Sequence, residues 1–259
     1  MDLLAHADLV VLGALADASN LALLVRLGDE AGPLAIYKPV SGERPLWDFP
    51  DGSLAARERA AYLLSRAGGW DIVPETVLRD GPHGEGSVQR WVGNPDVAPE
   101  YVVDLVRPDA VPPGWVPVLR GENERGRPVI VVHQDSAAVR AVAAFDAMLN
   151  NSDRKGSHLV REGTALRGFD HGVSLHEDHK LRTVLWGFAG QRLSAVDLHR
   201  LTTVLEQLSE ASSSLSRELR PLLTTAELVA LRRRTRALVE EPVYPVPSGQ
   251  WPAIPWPPL

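Results

Sequence analysis

Two short polar segments hold the residues whose types and spacing could do chemistry: Asn150-Asn151-Ser152-Asp153-Arg154-Lys155-Gly156-Ser157-His158 and Gly168-Phe169-Asp170-His171-Gly172. In the first, a polar loop presents Asp153, and five residues later His158 leads into an apolar pair. In the second, Asp170 sits among glycines after a hairpin-like return. One carboxylate in such a layout orients an attacking hydroxyl, while a second carboxylate and a neighbouring ligand hold a divalent cation on a chain of phosphates. Phosphoryl transfer rests mostly on positioning and charge neutralisation, so two short rigid loops suffice for it. Taken singly, Asp, Asn, Ser and Gly are also ordinary turn formers. The joint order of loop, strand, hairpin and Asp-His-Gly is what points to chemistry.

The elements that must position these loops follow from periodicity and punctuation. Ser136 is an N-cap, and Val139, Val142, Phe145, Met148 and Leu149 form the apolar face of a helix ending at Asn150-Asn151. Leu159-Val160 and the segment to Phe169 read as a hairpin. Upstream, Leu3 to Leu15 reads as a short helix or strand running into a turn at Gly13. Leu21–Leu27 and Pro33–Tyr37 pair about the turn Gly28 to Gly32. Ser53 caps a helix over Ala55–Arg66, stopped by Gly68-Gly69. Ile72–Leu78 and Ser87–Val92 are two more strands about a glycine-rich turn. Residues 93 to 128 read as an irregular Pro/Gly-rich connection, with a strand at Val129–His133. Amphipathic helices are expected over roughly Ser194–Glu210, Ser212–Leu223 and Thr225–Glu240, the last with a Thr224/Glu227 capping box. The tail from Pro242 to Leu259 holds seven prolines and two tryptophans. It reads as an extended strap that packs Trp251 or Trp256 onto the body.

Composition narrows the function classes. The net charge is −6, from 27 basic and 33 acidic residues, which argues against a dominant nucleic-acid-binding surface. The run Arg232-Arg233-Arg234 with Arg236 reads as a solvated helix face. No apolar run reaches the roughly 18 residues of a membrane span, so no stable membrane insertion is expected. There are no cysteines, which removes thiolate metal sites and fits a cytoplasmic protein. Lysine occurs only at positions 38, 155 and 180. Lys38, at the end of the apolar strand Ala35-Ile36-Tyr37, therefore stands out.

The Asp153 segment resembles the Asp-Arg catalytic loop of the phosphatidylinositol 3-/4-kinase superfamily, and most of all a compact actinobacterial family distantly related to it. Tyr37-Lys38-Pro39, Gly42 to Pro50 and Arg57-Glu58 extend that likeness over nearly the whole chain. The layout is also similar to toxin-type kinases of the HipA group. The resemblance implies that Lys38 holds nucleotide phosphates, that Glu58 pairs with it, that Asp153 is the catalytic aspartate and that Asp170 binds Mg²⁺. His158 stands where such kinases place asparagine. Its softer nitrogen ligand shifts preference toward Mn²⁺ or orients phosphates. No glycine-rich phosphate loop is present; Gly13 to Asn20 takes its place, with Ser19 and Asn20 as phosphate-capping candidates. Gln89 and Trp91 fall where two lobes join, and their backbone is expected to meet the adenine. Lys155 is placed to neutralise the transferring phosphoryl, and Arg154 to brace the catalytic loop. The His171, His176, His179 and Asp178 group resembles a metal cluster by composition, but the preferred reading is an exposed loop that touches substrate.

The expectation is an α+β, two-lobed protein-kinase-like fold. Residues 1–92 form a small β-rich lobe that clasps the nucleotide, and 93–259 form a mainly helical lobe with both loops and the strap. ATP with Mg²⁺ or Mn²⁺ lies between them. The expected activity is phosphate transfer to a hydroxyl of an unknown protein or small molecule. The rivals are a nucleotide-binding pseudokinase and a nucleotidyl transferase on the same fold. Lipid phosphorylation is not expected, for want of a membrane-binding element.

Overall fold

The computed structural model describes residues 2–15, 19–95 and 97–259. The N-terminal part is a five-stranded antiparallel sheet of order β1-β2-β3-β5-β4, built from β1 (Leu9–Ala14), β2 (Leu23–Leu27), β3 (Leu34–Pro39), β4 (Thr76–Gly81) and β5 (Gly84–Arg90). A short helix, α1 (Asp2–His6), precedes it, and α2 (Leu54–Ala67) is inserted after the third strand. Gly13 lies inside β1 at a register shift rather than in a turn. The β4/β5 strands run further into their connection than expected and leave a tight turn between Gly81 and Gly84.

The two-residue period of β3 decides what the sheet offers to each side. Tyr37 pairs with Leu23 and Val88, and these join Val25, Leu27, Ala35 and Leu4 in a small core. Ile36 and Lys38 therefore face the other way, alongside Gln89. On that side α2 packs near β4 and β5, with Arg59 donating to the Thr76 carbonyl. Ser53 holds the N-cap position of α2, but its hydroxyl bonds the Pro50 carbonyl. The carboxylate of Glu43 accepts from the Leu54 and Ala55 amides instead, so an acidic side chain reached from a loop satisfies the helix start.

Residues 93 to 128 are not the irregular connection expected. They contain β6 (Val103–Val106) and β7 (Trp115–Glu122), which flank β8 (Pro128–Gln134) in a three-stranded sheet. Pro117 is tolerated because β7 is an edge strand with a register shift at that point. Then come α3 (Ala137–Leu149) and the hairpin β9 (Leu159–Glu162) with β10 (Ala165–Gly168). Ser136 caps α3 by accepting from Val139, and Asn150 ends it in the left-handed conformation. The rest is α4 (Ala195–Ser209), α5 (Ser214–Leu219) and α6 (Thr225–Glu240), the last with its capping box formed.

The main core joins α2 to the helical part: Ala60, Leu64 and Trp70 pack with Phe145, Met148, Leu149, Phe188, Leu201 and Leu231. Arg57, fully buried, ties α2 to α6 through Glu227 and donates to the Ser174 carbonyl at 2.9 Å. The C-terminal segment is an extended strap on this body. Tyr244 is buried and its hydroxyl donates to the Arg140 carbonyl at 3.1 Å. Ala253 accepts from the Thr183 amide and the Trp186 indole, and Pro258 accepts from the Gly156 amide at 2.8 Å. Trp256 remains exposed, whereas Trp251 is half-buried. The mixed fold, with a β-sheet N-terminal region and a helical remainder, is kinase-like.

Candidate active site

Asp153 owes its position to the end of α3. The left-handed turn at Asn150 lets the chain leave the helix sharply, and the Asn150 side chain donates to the carbonyls of His176 and Asp178. Asn151 then accepts from the Asp153 amide and donates to Asp146. Arg154 is entirely buried and forms a bidentate pair with Asp146 at 2.7 and 2.9 Å. The same guanidinium donates to the Phe169 carbonyl at 3.0 Å and meets His171 Nε2 at 2.7 Å. Arg154 thus braces both loops at once, on either side of Asp170. Burial and the Arg154 charge hold His171 neutral, which suits a ring nitrogen accepting from a guanidinium. Asp146 and the His171 ring both hold Arg154, while Asp146 also steadies Asn151 and the His171 amide meets Glu58. An aspartate inside the otherwise apolar stretch Ala141–Leu149, eight residues before Arg154, is the signal that could have found the first of them.

Lys38, Glu58, His158 and Asp170 meet although they come from β3, α2, the end of the Asp153 loop and the loop after β10. Lys38 Nζ lies 2.6 Å from Glu58 Oε1 and 2.8 Å from Asp170 Oδ1. Glu58 is buried, and its second oxygen accepts from the His171 amide at 3.0 Å. It is therefore not a solvated helix glutamate, and Lys38 is not a stray surface lysine. Asp170 takes a left-handed backbone conformation (φ 60°). Its other oxygen, Oδ2, lies 3.3 Å from His158 Nε2. Lys155 Nζ lies 3.3 Å from Asp153 Oδ2.

The electrostatics follow from this packing. Lys38 holds the Asp170 carboxyl far below the usual carboxylate range, against the opposing effect of burial. Burial would lower the Lys38 ammonium, but Asp170 and then Glu58 outweigh it and raise it. Burial lowers the His158 imidazole to about 4, so the ring is neutral at physiological pH. Asp153 is shifted the other way: burial raises its carboxyl, and Lys155 only partly offsets this.

All of these groups line one cavity of about 1320 Å³. Ser19, Asn20, Gln89 and Trp91 line it as well. Their contacts qualify what each offers. Asn20 Oδ1 accepts from the Arg44 amide, the Gln89 side chain is engaged with Thr76, and the Trp91 amide donates to the Leu34 carbonyl. Part of the loop from Gly13 to Asn20 lies outside the described residues.

The histidine-rich group after Asp170 does not assemble. His171 is engaged with Arg154, while His176 bonds the Asp48 carbonyl and the Asp178 amide. Among the described residues no group of three or more His, Asp or Glu side chains forms a metal cage. The His158–Asp170 pair fits a different kind of site. Its carboxylate oxygen and neutral imidazole nitrogen meet at the cavity wall. That donor set suits a cation that completes its shell with phosphate oxygens and water.

Comparison with known proteins sets this geometry in context. No family model matches the chain. The structure is similar to that of hydra Fam20 with sugar (TM-score 0.57, 14% identity, 93% of this chain and 87% of the other). It is also similar to the Golgi casein kinase with Mn/ADP bound (TM-score 0.54, 13% identity, 92% of this chain and 73% of the other). At these identities the likeness is one of fold. In sequence, Protein Rv2133c of Mycobacterium tuberculosis is 43% identical over 264 residues, covering 98% of this chain and 93% of the relative. The chain that carries this site belongs to the family of Protein Rv2133c.

Proposed function

We propose that the protein is a metal- and ATP-dependent phosphotransferase that acts on a hydroxyl group. The observation that carries this reading is the pair of contacts made by Lys38, to Glu58 and to Asp170, at the wall of the cavity that also holds Asp153. In it, residues 1–92 clasp the nucleotide and 93–259 present the catalytic loops. Lys38 holds nucleotide phosphates while Glu58 fixes its ammonium. Asp170 and His158 hold Mg²⁺ or Mn²⁺, and that cation neutralises phosphate charge. Ser19 and Asn20 flank the phosphates from the sheet side, and the chain at Gln89 and Trp91 borders the adenine. Asp153 accepts the proton of the attacking hydroxyl, and its burial-raised carboxyl suits that exchange. Lys155 screens the charge developing beside it. Support comes from the kinase-like fold and from a similar structure that holds Mn/ADP. The likeness of the two loops to phosphatidylinositol 3-/4-kinases and to the HipA group points the same way.

The test separates catalysis from binding. Asp153→Asn keeps metal-dependent ATP affinity and lowers turnover by roughly 10²–10⁴-fold, the usual contribution of a positioned base. Asp170→Asn lowers turnover and also weakens metal-nucleotide binding, because a charged oxygen ligand is lost. The measurements are calorimetry with and without metal, and transfer of label from ATP marked at the γ- or the α-phosphate. Label moving only from the α-position establishes nucleotidyl transfer instead. Binding without transfer or hydrolysis establishes a nucleotide-binding module, the reading that His158 in place of asparagine favours. Failure to bind any nucleotide overturns the proposal.

A further inference from the structure

The cavity is larger than one ligand requires. Typical ligand sites occupy roughly 300–1,000 Å³, against about 1320 Å³ here. Part of the cavity lining differs in character from the charged groups around Lys38 and Asp170. The loop after β3 contributes Trp47 to that lining, and the strap contributes Trp251. Trp47 is the most exposed large apolar side chain among the described residues, at 85%. The two indoles flank the Lys180 ammonium, 4.7 and 4.9 Å from it, and Lys180 is neutralised by Asp48. The Trp251 indole nitrogen is buried with no hydrogen-bond partner among the described residues.

Arg182 lies at the base of this region. Its amide donates to the Asn151 carbonyl and its carbonyl accepts from the Arg154 amide, so its backbone is pinned to the Asp153 loop from both sides. Its side chain lines the cavity. Among the described residues no carboxylate lies within 4 Å of it. Its one hydrogen bond there is a long one, 3.5 Å to the Ile254 carbonyl, and its buried Nε has no partner. Lys38 and Lys155 at this cavity are each already paired with a carboxylate, whereas Arg182 is not. A guanidinium with no carboxylate partner at a cavity wall is a ready anion receptor. An anion seated there leaves the rest of a small molecule beside the cavity-lining residues Trp47 and Trp251.

We infer that the region bounded by Arg182, Trp47 and Trp251 is the acceptor subsite, and that its ligand is a small hydroxylated molecule bearing an anionic group, phosphate or carboxylate. This rests on the phosphotransferase reading. The acceptor hydroxyl oxygen forms the new bond to the γ-phosphorus. The bond from that phosphorus to the β,γ-bridging oxygen breaks, and its electron pair leaves with ADP. The hydroxyl proton passes to Asp153. A cavity of this volume with its own cationic receptor suits a small molecule that enters it whole.

The test uses the full chain preloaded with Mg²⁺ or Mn²⁺ and ADP. Glucose 6-phosphate, ribose 5-phosphate, glycerol 3-phosphate and gluconate are titrated against glucose, ribose and glycerol. Calorimetry and tryptophan fluorescence are the readouts. At least one anionic compound binds ten-fold or more tightly than its neutral counterpart and perturbs the indole emission. Arg182→Ala removes that preference, and Arg182→Lys retains part of it, since charge survives while the fork is lost. Trp251→Phe weakens both members of a pair alike. A thermal melt of each variant shows that it is folded. Equal binding of charged and neutral compounds, absence of binding by all of them, or a preference that persists in Arg182→Ala overturns the inference. Inorganic phosphate competing as well as the whole compound reassigns the site to free phosphate and overturns it too. Binding of the metal and ADP in the preloading step reports separately on the phosphotransferase reading, so the two failures are distinguishable.

Discussion

Lys38 Nζ and Asp170 Oδ1 lie 2.8 Å apart although 132 residues separate them, and Glu58 Oε1 meets the same ammonium at 2.6 Å. One cation is thus shared between a sheet strand, the α2 helix and the loop after β10. Removing it leaves two carboxylates at short range with no counter-charge. Lys38→Met therefore weakens metal-nucleotide binding at least about 10-fold, which corresponds to roughly 1.4 kcal/mol. Lys38→Arg does not restore it, because a planar fork cannot replace a compact ammonium between two carboxylates. Calorimetric titration of the variants checks this. Unchanged affinity in Lys38→Met would show that the pair is structural only.

With Asp153 as the base proposed above, the acid limb of the pH–rate profile is expected to report its carboxyl. The carboxylate must be ionised to accept a proton, so activity falls as pH drops through its folded value. Burial places that value above the ordinary carboxylate one, and Lys155 opposes the rise. Lys155→Met removes a charge that favours ionisation, so the limb moves to higher pH while the plateau drops. His158, lowered to about 4, does not contribute to the limb near neutrality. A limb that stays in place in Lys155→Met assigns it to another group.

His158→Asn replaces a nitrogen donor by an oxygen donor beside Asp170. Because Mg²⁺ prefers oxygen more strongly than Mn²⁺ does, the ratio of Mn²⁺- to Mg²⁺-supported nucleotide affinity falls several-fold in the variant. Parallel metal titrations at fixed nucleotide measure the ratio. An unaltered ratio removes His158 from the metal site.

Glu162, on β9, joins the hairpin after the Asp153 loop to the end of β5. It accepts two bonds from Arg90, at 2.7 and 2.9 Å, and one from Arg167. The hydrogen bonds from Arg90 lead in lowering its carboxyl to about 2. A depressed folded value contributes stability that is present above the unfolded value of 4.5 and is lost as pH falls from there toward about 2. With partial exposure discounted, Glu162→Gln costs on the order of 1–2 kcal/mol at pH 7. The difference from the wild type narrows on acidification across that window. Denaturant unfolding at several pH values tests both points.

Local pattern and chemistry made much of this protein legible in its sequence. The hairpin that carries Lys38, the helix Ala137–Leu149 with its Ser136 cap, the β9–β10 hairpin and the Thr224/Glu227 capping box are each specified by residues a few positions apart. Turn chemistry, period and capping act over that range. Tertiary structure alone decided the rest. β6 and β7 escaped because β7 is a largely exposed edge strand interrupted by Pro117, with no alternation to betray it; it exists because β8 pairs with it. Glu43 caps α2 from a loop eleven residues away, where Ser53 was the local candidate. The Asp146–Arg154–His171 brace joins three segments through one buried guanidinium, and burial is what makes that charge demand so many partners. The strap's Trp251 and the distant Trp47 approach the same Lys180 ammonium, and only the folded chain brings both to one cavity. Short-range propensity names the parts, whereas desolvation and charge pairing between distant segments choose which of them meet.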